Sequence, residues 1–278
     1  MSGLLKSDFR RVFKDKLLIV MGILAVVFAA ITPLLYAVIF SGNGIVDDEM
    51  AMGMLSGFIT GKAQFFGSFS LGNNLGLIAP VLLAIVLCKD FSFGTIRNKI
   101  IAGKSRTAIY LSLFITCATV LITVMLLHAF MTLGISLLFF DYQSTPFTLS
   151  DFWYFLESLA FEILVLLCVA AMLSWLCASM KNVGLVIVLF VAIVFALVMA
   201  GSIIQVIISV LDVADGSEQT IKILGFINRI NVGNATAYIG MGTEYTLKDV
   251  LYLTIPALTG LLGFTGLGLL KFNKKDLK

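Results

Sequence analysis

Long apolar runs alternate with short polar stretches along this chain, and the runs set the predicted architecture. A helix needs about 20 consecutive apolar residues to cross the hydrocarbon core of a bilayer. Six runs meet that length, over residues 17–40, 68–88, 107–140, 153–177, 183–211 and 250–270. The first contains Thr32 and a mid-helix Pro33, which predicts a kink. The third is longer than a perpendicular crossing needs, which predicts tilt or protrusion. The fourth is bracketed by Trp153 and Trp175, about 33 Å apart along a helix, the separation of the two interfaces that Trp favours. The expected fold class is an all-α membrane protein: one transmembrane domain over residues 1–278 with six transmembrane helices.

The polar stretches predict further elements. Residues 1–16 are too charged to span, yet Leu5, Phe9, Val12 and Phe13 recur at helical spacing. That pattern predicts an N-terminal amphipathic interfacial helix, with Lys6, Arg10, Arg11 and Lys14 near anionic headgroups. A plain basic arm that only fixes topology is the alternative. Residues 41–67 and 212–249 form two outer segments. In the first, Gly53, Gly57 and Gly61 have the spacing that lets helices approach closely, as do Gly72 and Gly76 just inside the next run. In the second, residues 221–230 are apolar enough to dip back into the outer leaflet or to cap the assembly.

Composition removes whole classes of function. The 278 residues are 60% hydrophobic and only 13% charged, where a soluble domain carries about 25% charged residues. A soluble enzyme, a disordered chain and a disulfide-stapled secreted module are excluded. The net charge of +3 is too small to argue for a nucleic-acid partner. Its distribution is more telling. Fifteen of the 19 basic residues fall in the N-terminal arm, the loops after the second and fourth runs, and the C-terminal tail. By the positive-inside rule both termini are expected in the cytoplasm of a multi-pass protein of the cell membrane, bacterial in type. The first run is too long for a signal peptide and lacks a small-residue cleavage site.

Candidate chemistry is sparse. Cys88, Cys117, Cys168 and Cys177 all lie in apolar runs without metal-ligand spacing, and there is one His, so no metal or catalytic constellation is expected. Gly103-Lys104-Ser105 ends like a P-loop, but position 98 is Asn where that motif needs Gly. Ionisable groups inside membranes are costly and often functional. The candidates are His128, Glu157 and Glu162, with Gln205 as a weaker polar case. They read either as a polar patch on a substrate path or as a His–Glu pair that fixes helix register.

The loop over residues 89–106 is the most informative stretch. Topology needs only a few polar residues there, yet the loop offers Phe91 and Phe93, a basic face and a Gly-Lys-Ser turn. Aromatic residues beside Arg suit a protein contact, so the loop reads as a docking knob.

At this loop the chain resembles the permease subunits of type-2 ABC (ATP-binding-cassette) exporters. The similarity rests on Asp90, Gly94-Thr95-Ile96-Arg97, Ile100-Ile101, Gly103, Ser105-Arg106 and Ile109-Tyr110, and extends to the layout: an amphipathic N-terminal helix, six spans, a short second inner loop, an extended outer segment before the last span and a similar basic tail. The resemblance implies that two permeases, identical or paralogous, form the pore. Each would dock a separate ATP-binding cassette subunit on a coupling helix after the second span. The implied docking residues are Asp90, Phe91, Phe93, Gly94, Thr95, Ile96, Arg97, Asn98, Lys99, Gly103, Ser105 and Arg106. Phe91, Phe93 and Ile96 would fill a groove on the ATPase, while Arg97, Lys99 and Arg106 would meet acidic surface or lipid phosphate. ATP and Mg would be bound by the partner, with no cofactor and no enzymatic activity in this chain. The scarcity of fixed charge in the spans favours a hydrophobic or amphipathic cargo, and the resemblance implies an antimicrobial or amphipathic peptide first, with lipid, drug or sodium export next. An ion-coupled secondary carrier and a non-transporting membrane protein are the rivals from other classes; the first wants a midplane charged site and internal repeats.

Overall fold

The computed structural model describes residues 2–40, 60–70, 72, 75–142, 147–180, 182–213, 217–235, 238–240 and 244–274. Gly53, Gly57, Lys181 and the tail beyond 274 lie outside the described residues. The described elements are all helical: α1 (Ser2–Val12), α2 (Lys16–Phe40), α3 (Gly61–Gly67), α4 (Ile78–Ser92), α5 (Thr95–Ile101), α6 (Arg106–Ser136), α7 (Leu149–Ser179), α8 (Val183–Val213), α9 (Glu218–Arg229), α10 (Val232–Ala235) and α11 (Leu247–Lys274).

Five of these, α2, α6, α7, α8 and α11, are long and apolar enough to cross a membrane. A sixth crossing is available only if α4 and α5 count as one broken span, bent by 49° between Ile78–Phe91 and Thr95–Ile101. The expected run over 68–88 therefore differs from what forms. Helix α4 begins only at Ile78, after Ser70 and Gly72, both weak helix formers. It then continues to Ser92, past the charged Lys89 and Asp90, because both charges find partners. Its 15 residues rise about 22 Å, short of a full hydrocarbon core. The run over 107–140 forms a helix only to Ser136.

The core lies between α4, α6, α7 and α11. Helix α11 lies along α7, and α2 along α6. Cys117, Cys168 and Cys177 are buried within this packing, as small apolar residues would be. A Cβ on Gly260 would meet Cys168 Sγ, and Trp175 stacks on Phe264 with ring centroids 5.5 Å apart, so α11 sits closely against α7. A Cβ on Gly268 would collide with the Tyr110 side chain, so glycine is also what brings α11 against α6.

At the end of the bundle away from α1, a Phe cluster closes the helices. Phe65 of α3 lies 5.9 Å from Phe130 and 5.7 Å from Phe155, ring centre to ring centre. Gly61 fits under Leu137 Cδ2, which a Cβ would approach to 3.0 Å. Thr148 and Asp151 form a capping box that starts α7, and Lys62 Nζ pairs with Asp151 at 2.5 Å. Helices α9 and α10 turn back along α8: Asn228 Nδ2 donates to Gln205 Oε1 at 3.1 Å, and Asn231 Nδ2 donates to the Leu197 carbonyl at 2.7 Å. Leu197 lies mid-way along α8, so the chain returns about 24 Å from the α8 terminus. Residues 221–229 of α9 thus run alongside α8.

Candidate functional site

The α1 end of the bundle carries the loop singled out in the sequence, built as an elbow. Helix α4 stops at Phe93, and Gly94 turns the chain with φ +69°, a left-handed conformation that costs roughly 1–2 kcal/mol for a residue with a Cβ. Helix α5 then runs for two turns and ends before Gly103, also left-handed with φ +77°. Ser105 caps α6 by accepting from the Ala108 N–H at 3.3 Å.

The elbow is anchored from the side of α1. That helix has three faces. Leu4, Asp8 and Val12, spaced by four, are buried against the bundle. Phe13 is exposed beside Phe9 on a second face, with ring centres 6.2 Å apart. Lys6, Arg10 and Lys14 are exposed on a third.

The buried face carries a carboxylate, which the sequence reading missed. Asp8 Oδ1 accepts from Lys99 Nζ of α5 at 2.5 Å, and Asp8 Oδ2 accepts from Ser112 Oγ of α6 at 2.6 Å. Arg11 pairs with Asp90 of α4, whose other oxygen lies 3.9 Å from Lys99 Nζ. Two cations thus meet two carboxylates that are both fully withdrawn from solvent, so charge cancels where desolvation is costly. Beside this cluster Asp15 accepts from Lys89 Nζ at 2.7 Å and from the Leu17 N–H at 3.0 Å. Burial works to raise the Asp15 pKa, but the hydrogen bond from Lys89, then that from Leu17, outweigh it and leave the carboxyl below its usual range. Burial lowers the pKa of Arg11 by more than the charges of Asp8 and Asp15 raise it.

This anchoring reassigns several expected docking residues. Ile96 is buried in the chain's own core, so it cannot fill a groove on another protein in this conformation. Phe91 is half-buried and packs edge-on against Phe272, 6.2 Å away. Lys99 is committed to Asp8, Asp90 lies inside the cluster, and Arg106 Nη1 donates to the Asn273 carbonyl at 2.8 Å. What faces outward is Phe93 at 78% exposure, Ile101 at 74%, and the exposed Arg97, Asn98 and Lys104. Arg97 and Ile101 fall four residues apart on α5, and Phe93 stands just before the Gly94 turn that opens it. Gly94 and Thr95 set the turn at partial exposure, and Gly103 and Ser105 are exposed at its far side.

The intramembrane candidates separate. His128 of α6 and Glu162 of α7 are both buried, but no ion pair or hydrogen bond joins them among the described residues. His128 Nδ1 and both Glu162 oxygens lack a hydrogen-bond partner, so the expected His–Glu register pair is not formed. Glu157 is exposed on α7. Gln205 is exposed and accepts from Asn228, which ties α9 to α8. No group of three or more His, Cys, Asp or Glu able to hold a metal occurs among the described residues.

Fold and apolar helices together define a multi-pass helical membrane protein with a braced elbow at one end. The family model described as "Protein of unknown function (DUF2705)" matches residues 59–278, and the chain belongs to this family. No curated protein matches the chain.

Proposed function

We propose that this chain is the membrane-spanning subunit of a type-2 ABC exporter, powered by a separate ATP-binding cassette subunit that docks on the α4–α5 elbow. The observation that carries the reading is the contrast within α5. One side is fixed to the bundle by Ile96 and by Lys99 on Asp8, while the other presents the exposed Arg97 and Ile101, with Phe93 exposed at the turn just before the helix. An exposed aromatic, Arg and aliphatic residue gathered at the turn and on the short, braced helix have the composition of a protein-contact hot spot. A helix held this way would pass a push from the partner to α1, α4 and α6 together. The return of α9 and α10 before the last long helix fits the extended outer segment of the resemblance.

In this reading the α1 end is cytoplasmic, in the cell membrane of a bacterium, and a second copy or a paralogue completes the pore. ATP and Mg belong to the partner, and the cargo is hydrophobic or amphipathic, a peptide before a lipid, drug or sodium ion. The test is a mild-detergent pull-down of the tagged full-length protein beside Gly94→Ala and Arg97→Ala variants. Retention of a P-loop ATPase of roughly 25–35 kDa by the native chain and its loss from the variants supports docking. Absence of any such protein from the native pull-down removes the reading.

One observation favours a second reading, an ion-coupled carrier. Glu162 is a fully buried carboxyl without a hydrogen-bond partner among the described residues, the type of group that marks proton or ion paths. Transport in vesicles that follows an ion gradient without ATP, and fails in Glu162→Gln, would select it.

A further inference from the structure

The basic face of α1 is not flat. A groove of about 480 Å³ runs along it, lined by Gly3, Lys6, Ser7, Arg10, Arg11 and Lys14. Gly3 and Ser7 are the two small residues of this lining, and the floor is the space they leave. A Cβ on Gly3 would meet nothing within 4 Å, so the space above it is open. Long basic side chains stand around that floor at helical spacings of three and four. Lys6, Arg10 and Lys14 are exposed, and the sequence places no acidic side chain among the six lining residues.

Arg11 is the odd member. It pairs with Asp90 on the bundle side, yet its Nε and Nη2 have no hydrogen-bond acceptor among the described residues. Burial already works against its charge more than Asp8 and Asp15 support it. Arg11 thereby joins the groove to the bundle, since the residue that lines the one also holds Asp90 of α4.

The neighbouring face of α1 says where such an anion would come from. Phe13 is exposed and Phe9 half-buried, on the side that adjoins Lys6 and Arg10 around the helix. A helix immersed by its Phe face lies in the interface plane, and the adjoining basic face then sits at headgroup level. We infer that the groove on α1 binds the phosphate of an anionic phospholipid, so that a lipid headgroup becomes part of the contact between α1 and the α4–α5 elbow. The occupant is a lipid rather than a soluble anion because the apolar face and the basic groove belong to one helix and can be satisfied together only at a bilayer surface. The inference needs the membrane-spanning class alone, and no ATPase takes part in its test.

The experiment is hydrogen–deuterium exchange of the α1 amides in the full chain, reconstituted in nanodiscs near neutral pH. Phosphatidylcholine discs are compared with discs of phosphatidylcholine and phosphatidylglycerol, and phosphatidylcholine discs with added inorganic phosphate form a third arm. The expected result is slower exchange in α1 with phosphatidylglycerol, with the protection falling about fivefold for each of Lys6→Gln, Arg10→Gln and Lys14→Gln. Gly3→Gln with Ser7→Gln fills the floor and keeps every charge, and it should abolish the protection. Equal exchange in the two lipids overturns the inference. Protection that survives the filled floor reduces the effect to diffuse charge attraction and overturns the groove. Equal protection by inorganic phosphate overturns the lipid as the source.

Discussion

Asp8 and Lys99 lie 91 residues apart in sequence and meet at 2.5 Å, joining the first helix of the chain to the exposed elbow. Both side chains are largely withdrawn from solvent, and Ser112 holds the second carboxylate oxygen. Removing one partner from a buried pair leaves an uncompensated charge and costs about 3–5 kcal/mol. Asp8→Ala should therefore lower the apparent melting temperature in detergent by several degrees, and Asp8→Ala with Lys99→Ala should recover part of the loss. All four cysteines are buried and none is in a disulfide, so a thiol-reactive dye can follow the melt. A double variant as unstable as the sum of the single ones would show that the two groups do not interact.

Docking and folding contributions of the elbow are separable. Phe93→Ala and Arg97→Ala alter exposed side chains and should change stability by less than about 0.5 kcal/mol. On the exporter reading each should weaken retention of the ATPase at least about tenfold, the effect of a hot-spot truncation. Ile96→Ala should behave in the opposite way, since it opens a cavity in the core and costs about 2–5 kcal/mol. Stability melts run beside the pull-downs distinguish the two. Parallel losses in both assays for all three variants would remove the division between an outer and an inner side of α5.

The elbow also shows what the sequence could reveal. The apolar runs located the long helices within a few residues, because an uninterrupted run has only one way to satisfy its backbone in a bilayer. The same criterion failed over 68–88, where the helix begins only at Ile78 and paired charges prolong it to Ser92. The elbow residues were legible as a group, whereas their division into inward and outward side chains was not. That division depends on Asp8 and Asp15, two carboxylates in an arm that reads as basic. The only trace is the Leu4, Asp8, Val12 spacing, which places an acid in the middle of an apolar stripe. Depth alone suggests pairing of His128 with one of Glu157 and Glu162, but similar depth on adjacent helices does not fix which way the side chains turn.

Asp15 predicts a modest pH dependence at the base of α2. Its carboxyl is held below the usual range in the folded chain, so the folded state favours the ionised form. The stabilisation is fully present above the unfolded value of about 3.9 and is lost as pH falls through the lower folded value. Because Lys89 is partly exposed, the contribution should be about 0.5–1 kcal/mol. Asp15→Asn should accordingly be less stable than the native chain near neutral pH, with the difference closing on acidification below about pH 4. Melts of the two proteins across that range check the sign, and a gap that widens in acid would contradict it.

Close approach of α11 to α6 yields a prediction with an internal rescue. Gly268 faces Tyr110, which is fully buried against Phe272 with ring centres 6.0 Å apart, and a Cβ at position 268 would overlap the phenol. Gly268→Ala should cost about 1–3 kcal/mol through overpacking. Tyr110→Phe, which removes only the hydroxyl, should relieve part of that cost in the double variant, because the hydroxyl oxygen is the atom the new methyl meets most closely. The α11 terminus beyond this contact supplies the Asn273 carbonyl that accepts from Arg106, so loosening it should also free the start of α6. Exchange of the amides following Ser105 would register that release. Unchanged exchange there, in a variant whose melt has moved, would confine the effect of position 268 to the α6–α11 packing and leave the elbow out of it.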